Sequence, residues 1–461
     1  MQFTPKAKKG HIPVRFVEGN LSKFTGTRLD IAYGSATPLV RRKYVLLMRK
    51  VVNFAKANKV KNIDINFKDL RALAPKSWSD EEVGRVAATA FVMADYEHTA
   101  YKTKPKDGWN RIDTVAVRNT PAKAKEGGFW VGEQIAGAVN LAREMSNTPG
   151  GDMTPTLLAE GARQAVKGTE ATVTVLDRAQ MEREGMGAVL GIAKGSAEEP
   201  KFIIVEYWGT DKKVKPVVLI GKGVTFDTGG LNIKGGDHMY EMHMDMSGGA
   251  AVIAATALAA KMKLKTNVIA LVPAVENNPG TNAVRPGDIL TGLSGKTIEV
   301  LNTDAEGRVI LSDAITYAKR YKPAHVAEVS TLTGAALIAI GQQASLYMTD
   351  DEARIGEYQH LGEQSGDYMW PLPQWDEYED MTRSTFADIP NLSTAGNSRY
   401  GGVIAGGMFL WAFAKELKCP WIHIDMAPRM TSVPGEFLAK GAAGAPVRFL
   451  YALIEKHAAA N

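Results

Sequence analysis

The sequence predicts an α/β protein in two parts: a small N-terminal α/β domain over residues 1–125, and a larger C-terminal domain over 126–461 whose mostly parallel or mixed central sheet is flanked by helices. Three observations lead there. At 461 residues the chain is longer than one hydrophobic core usually grows. Asn119–Gly128 (NTPAKAKEGG) is a polar Pro, Lys and Gly cluster of the kind that separates domains. After Asn147, β-rich runs alternate with helical ones, as in a parallel sheet covered by helices.

In chain order, Ile12–Val17 and Ile63–Phe67 read as strands, and Ser79 with Glu82 reads as a capping box opening a helix that continues through Met93. A helical pattern follows from Val131 to Met145. Thr172–Leu176, Phe202–Tyr207, Val217–Ile220, Asn267–Val272 and His325–Val329 then read as strands, with Gly248–Lys261 and Val309–Arg320 as helices. No fixed-period repeat or low-complexity tract is present, which excludes solenoids and propellers.

Composition narrows the function classes. Hydrophobic residues at 45% and charged residues at 23% suit a folded soluble protein rather than a disordered or membrane one. The apolar stretches Thr331–Gly341 and Val403–Ala414 are too short to span a bilayer, so no membrane partner is expected. A net charge of +5 does not by itself imply nucleic-acid binding. The single cysteine, Cys419, rules out an intrachain disulfide and a cysteine zinc site, and reads as a packed thiol. Residues 1–15 are basic but lack an apolar core behind the charges, so a cytoplasmic location is expected.

Several segments carry chemistry. Val217–Gly230 (VVLIGKGVTFDTGG) is an apolar strand entering a Gly-rich loop, yet it is no nucleotide motif. Gly223 follows Lys222 where a P-loop needs Ser or Thr, and Phe226 stands where a dinucleotide fingerprint needs glycine. The loop instead presents Lys222 and Asp227, with Lys234 nearby, at the carboxyl edge of a sheet, where α/β proteins place their sites. Asp245, in MDMSGGAA, taken alone would be a helix cap, and Gly248 and Gly249 would let that helix start close against neighbouring backbone. LNTDAEGRVIL carries Asp304, Glu306 and Arg308 at alternate positions. Extended, these three side chains would converge; the bland alternative is a solvated loop with local ion pairing. Asp227, Asp245, Asp304 and Glu306 together form an all-carboxylate set that repels itself unless cations bind it, which suits two divalent ions bridged by shared carboxylates.

GKGVTFDTGGLNIK, MDMSGGAA, NTDAEGR and TLTGA resemble, in order and spacing, segments of the leucyl aminopeptidase (cytosol aminopeptidase) family, whose signature is NTDAEGR. The resemblance runs from Asn147 to the C-terminus; before it, little beyond Tyr96–Lys102 matches. It implies a hydrolase that releases leucine and other apolar residues from peptide N-termini, in a homohexamer. It also implies two divalent ions, Mn²⁺ or Zn²⁺ with Mg²⁺ as a further option: Asp227 and Glu306 bridge them, Asp304 binds one, and Lys222 with Asp245 completes the other site. A ligating lysine must be neutral, so a depressed Lys222 pKa is expected. By the same resemblance Lys234 polarises the scissile carbonyl, and Arg308 holds a bicarbonate that serves as general base.

By analogy with the family, Met242, Thr331, Gly334, Ala427 and Met430 line the side-chain pocket, with backbone near Asn302 and Leu332 facing substrate. His243 reads as a surface or packed histidine, and Gly401–Gly407 as a helix-packing segment. Three departures from the family's usual pattern, Ser247, Ser330 and the pair Pro428–Arg429, bear on side-chain preference rather than on the metal centre. Two rival readings are a DNA-binding accessory protein, which the charge balance does not support, and an inactive relative, against which all five ligands stand intact.

Overall fold

The computed structural model describes residues 1–395 and 400–460. The chain divides into two compact units, Met1–Asn140 with Ser432–Gly441, and Leu141–Thr431 with Ala442–Asn461. The boundary expected at 125/126 lies inside the first unit, ahead of this division.

The first unit carries a six-stranded sheet in the order β1-β6-β5-β2-β4-β3, from β1 (Gln2–Thr4), β2 (Ile12–Val17), β3 (Lys23–Phe24), β4 (Leu29–Ala32), β5 (Asn62–Asn66) and β6 (Thr114–Arg118). All pairings are parallel except β3 with β4. Helix α1 (Arg41–Ala57) buries Tyr44, Leu47, Met48, Val51, Val52 and Ala55, one stripe at helical spacing. Helices α2 (Phe67–Leu73) and α3 (Asp80–Asp95) complete the core. Ser79 caps α3, its Oγ accepting from the Glu82 N–H at 3.1 Å, while the Glu82 carboxylate pairs with Arg41. The cluster Asn119–Gly128 is no free-running linker. It winds into a π-helical segment, Ala124–Phe129, lying so close on α3 that a Cβ at Gly128 would stand 2.6 Å from the Glu81 carbonyl oxygen. Its glycines serve close approach, which in sequence looks the same as chain breaking.

In the second unit α4 (Trp130–Asn147), which begins in the first, and α5 (Pro155–Ala165) lead to β7 (Thr172–Leu176), α6 (Arg178–Glu184), α7 (Gly187–Ala193) and β8 (Lys201–Trp208). Then come β9 (Val217–Gly221), β10 (Gly223–Asp227), α8 (Ser247–Lys261), β11 (Asn267–Asn277), β12 (Ile289–Thr291), β13 (Thr297–Glu299), α9 (Glu306–Ala318) and β14 (His325–Ser330). The chain finishes with α10 (Gly334–Ile340), β15 (Ser345–Met348), α11 (Ile355–Ser365), β16 (Met369–Pro371), β17 (Ile389–Pro390), α12 (Gly402–Ala414), β18 (Trp421–Asp425) and α13 (Val447–Ala460). The large sheet runs β16-β15-β18-β14-β9-β11-β8-β7, with β10 continuing beside β11. Its centre, β18-β14-β9-β11, is parallel; β8, β7 and β15 pair antiparallel, so the sheet is mixed. The central strands are buried on both faces, which is why they read as unbroken apolar runs. Helix α8 is buried all round and lies against β9, β11 and β14. Cys419 packs half-buried against this core. Among the described residues no helix is long and apolar enough to cross a membrane.

The start of α8 touches the sheet backbone to backbone. The Gly249 N–H donates to the Lys222 carbonyl at 2.7 Å, and a Cβ at Gly248 would meet the Val329 carbonyl oxygen at 2.2 Å. Gly248→Ala is therefore expected to lower the unfolding free energy by about 2–3 kcal/mol. Gly151→Ala, which faces open space, should change it by less than about 1 kcal/mol; denaturant melts of the two variants compare them directly.

His325 on β14 is fully buried, with Nε2 2.7 Å from the Tyr358 hydroxyl and its ring stacked 5.2 Å from His457. Burial, then the positive neighbours His457, Arg354 and Lys456, hold it well below the ordinary histidine range. The folded protein thus stays unprotonated there, while the unfolded chain takes up a proton below about pH 6.5. This contribution to stability is full above that pH and is lost as pH falls, at ~1.4 kcal/mol per unit. Unfolding free energies measured between pH 4 and 6 should depend less steeply on pH in His325→Gln by about that slope.

Candidate metal centre and active site

Lys222 occupies the one-residue break between β9 and β10, both of which run along β11. Its own N–H turns to the Val329 carbonyl on β14, at 3.0 Å. The side chain is buried, with Nζ 2.7 Å from Asp245 Oδ2 and 2.7 Å from Glu306 Oε1, and it donates to the Thr331 carbonyl at 3.3 Å. Lys234 follows the same pattern on the other two acids: its Nζ lies 2.8 Å from Asp227 Oδ2 and 2.5 Å from Asp304 Oδ1. Two ammoniums thus bracket four carboxylates, contributed by the end of β10, the turn before α8 and the start of α9.

Oxygens of Asp227, Asp245 and Glu306 lie within 4.8 Å of one another, and all three residues are buried. Burial raises the carboxyls of Asp245, Asp304 and Glu306, and repulsion from Asp227 adds to it against the pull of the lysines. For Lys222 and Lys234 burial works downward, but the surrounding carboxylates outweigh it and hold both above the ordinary lysine range. The depressed Lys222 value expected from sequence is therefore not what the protein's own charges produce; a neutral amine there needs a cation among the acids. Glu306 Oε2 is buried without a hydrogen-bond partner. Such a set of hard oxygen donors, buried close together, fits divalent cations.

Asp304, Glu306 and Arg308 do not converge from an extended stretch, as alternation suggested. Asp304 sits in a turn, its N–H bonded to Asn302 Oδ1 at 2.8 Å, and α9 begins at Glu306. The turn points Asp304 at Lys234, while the first helical turn delivers Glu306 to Lys222. Gly307 makes room, since a Cβ there would stand 2.6 Å from Lys222 Cε. Arg308 directs one terminal nitrogen to the Asn391 carbonyl at 3.0 Å, and its buried Nε has no hydrogen-bond partner. Burial pushes the guanidinium down to about 10, which leaves it charged at neutral pH.

Residues 140–451 match the family model described as "Cytosol aminopeptidase family, catalytic domain". The chain belongs to the cytosol aminopeptidase family. Its activity is accordingly the hydrolytic release of N-terminal amino acids from peptides. It is 46% identical over 388 residues to a probable cytosol aminopeptidase of Syntrophotalea carbinolica, covering 83% of this chain and 77% of the relative. Over 393 residues it is 43% identical to one of Azoarcus sp. (strain BH72), covering 85% and 76%. Among solved structures it is similar to the bottromycin maturation enzyme BotP in complex with Mn, with TM-score 0.85, 26% identity, and coverage of 97% of this chain and 100% of that one. The buried acidic cluster of this family member suits metal binding, and the similar BotP is solved in complex with Mn.

The positions expected to line the side-chain pocket lie on four segments of the second unit. Thr331 is buried, its Oγ1 donating to Asp245 Oδ1 at 2.5 Å, and so links the loop after β14 to the cluster. Met242, Asn302, Leu332, Ala427 and Met430 are half-buried, and Gly334 is exposed at the start of α10. Ser247 donates to the Met244 carbonyl at 2.6 Å, closing the turn that carries Asp245.

Sequence reading missed the neutral side chains that hold the acids. Asn277, at the end of β11, donates to Asp227 Oδ1 at 2.8 Å and to the Thr303 carbonyl at 3.0 Å. Asn391 is fully buried after β17: its Oδ1 accepts from Leu301 and Asn302 N–H, and its Nδ2 donates to the Asn302 and Ala305 carbonyls. It makes these bonds across 86 to 90 residues, so no local spacing could flag it. Asn391→Ala would orphan several buried backbone groups of the Asp304–Glu306 loop. We expect a loss of about 2–4 kcal/mol in stability and a metal content, by elemental analysis, clearly below that of the wild type; a fully metallated variant would show that the loop holds its shape without Asn391.

Proposed function

We propose that the enzyme releases leucine and other apolar residues in preference to charged ones, and that its acidic cluster holds two divalent cations. In this reading Asp227, Asp245, Asp304 and Glu306, with Lys222 once neutral, would hold the two ions. The observation that carries it is the approach of Asp227, Asp245 and Glu306 oxygens to within 4.8 Å in a buried setting. Manganese or zinc, with magnesium as a further option, suits such a donor set; the Mn in the similar BotP complex supports manganese. Divalent ions bound there supply Lewis acidity toward the scissile carbonyl and activation of water.

The chain's own residues do the rest. Lys234, less deeply buried than Lys222, offers a fixed ammonium where negative charge develops on the carbonyl oxygen. Arg308, braced by Asn391 and with an unpartnered Nε, is the residue that would hold a bicarbonate as general base. A substrate's free N-terminal amine would be taken at the cation site, which selects against internal peptide bonds, since they offer none. Met242 and Met430 give the pocket soft, adaptable walls suited to leucine and methionine side chains. A homohexamer in the cytoplasm completes this reading, on the family resemblance and on the name cytosol aminopeptidase borne by the relatives.

Hydrolysis of leucine p-nitroanilide by purified protein, stripped with chelator and titrated with Mn²⁺ or Zn²⁺, tests the proposal. Activity should return with metal, vanish in Glu306→Ala, and fall about 10²–10³-fold in Lys234→Ala. Full activity in the stripped protein, or in Glu306→Ala, would overturn it.

A further inference from the structure

We infer that Asp425 is a positioning residue that sets side-chain preference by clasping together two walls of the substrate pocket; the inference rests on the pocket reading above. Asp425 ends β18, has no solvent exposure, and lies opposite Ser330 in the sheet. Its Oδ1 accepts from the Leu332 N–H at 3.2 Å and the Ala427 N–H at 3.1 Å, and its Oδ2 accepts from the Thr333 hydroxyl at 2.7 Å. One carboxylate therefore ties the loop after β14, which leads to Gly334, to the turn after β18, which leads to Met430.

A second tie lies beside it. The Arg429 guanidinium donates to the Gln342 carbonyl at 2.6 Å, just past α10. The same two segments are thus joined from both ends. Backbone N–H groups in a pocket wall have fixed directions, so a shared acceptor fixes the spacing of the two walls, and pocket width is what distinguishes substrates that differ by a few methylenes.

The chemistry of the clasp separates geometry from charge. In Asp425→Asn the amide oxygen can accept from both N–H groups, and its NH₂ can donate to the Thr333 hydroxyl, which turns from donor to acceptor. Asp425→Ala removes all three bonds of the carboxylate, to Leu332, Thr333 and Ala427, and leaves the Arg429–Gln342 bond in place. We expect Asp425→Ala to lower the leucine-to-alanine ratio of kcat/KM about tenfold, mainly through KM, with metal content unchanged, and Asp425→Asn to keep the wild-type ratio. Thr333→Val removes one tie and should shift the ratio in the same direction, which keeps the test open if Asp425→Ala does not fold. An unchanged ratio in Asp425→Ala, or in Thr333→Val if only that variant folds, would overturn the clasp, as would an Asp425→Asn as impaired as the alanine variant. Met430→Ala distinguishes the two levels: if it shifts the ratio while Asp425→Ala does not, the clasp alone fails, and if neither shifts it, the pocket reading fails as well.

Discussion

Three buried carboxylates and a half-buried fourth, faced by two lysines, set the terms for everything around them. Desolvating one unpaired carboxylate costs several kcal/mol, and here repulsion among neighbours adds to burial at Asp245, Asp304 and Glu306. The lysines answer this in pairs: Lys222 faces Asp245 and Glu306, Lys234 faces Asp227 and Asp304. A site kept acidic and only half neutralised is primed for cations, because each cation that enters relieves a repulsion the fold already bears.

The layer behind the acids is neutral. Asn277 and Asn391 fix Asp227 and the Asp304–Glu306 loop through amide bonds. Amides add direction without adding charge, so the cluster keeps its negative field while its oxygens are held in place. Glycines serve the same end by absence: Gly248 lets α8 begin against β14, and Gly307 leaves the lysine stem its space. The loop-borne acids are thereby braced against neighbouring strands and helices, as precise chemistry requires.

Strands β9, β11 and β14 were legible because burial on both faces leaves an apolar run with no competing signal, though Asn267–Asn277 proved longer than its apolar part suggested; β18, whose buried run is interrupted by His423 and Asp425, was not read. Asn119–Gly128 was misread as a linker because a glycine that permits close packing on α3 is indistinguishable, by composition, from one that ends an element. The alternation of Asp304, Glu306 and Arg308 suggested convergence from an extended stretch, whereas Asp304 lies in a turn and Glu306 opens a helix. Their neighbours in sequence could not reveal that α9 starts at Glu306, since that start depends on an asparagine some ninety residues away.

The sequence by itself determined the α/β class, the family and the identities of the acids and lysines, because these reside in local runs and short motifs whose spacing the chain cannot change. Tertiary structure alone decided how those groups pair, which protonation the lysines favour, and which distant side chains hold the loops. Those depend on distances between segments far apart in the chain, and on a dielectric environment that exists only once the sheet and its helices have closed over the site.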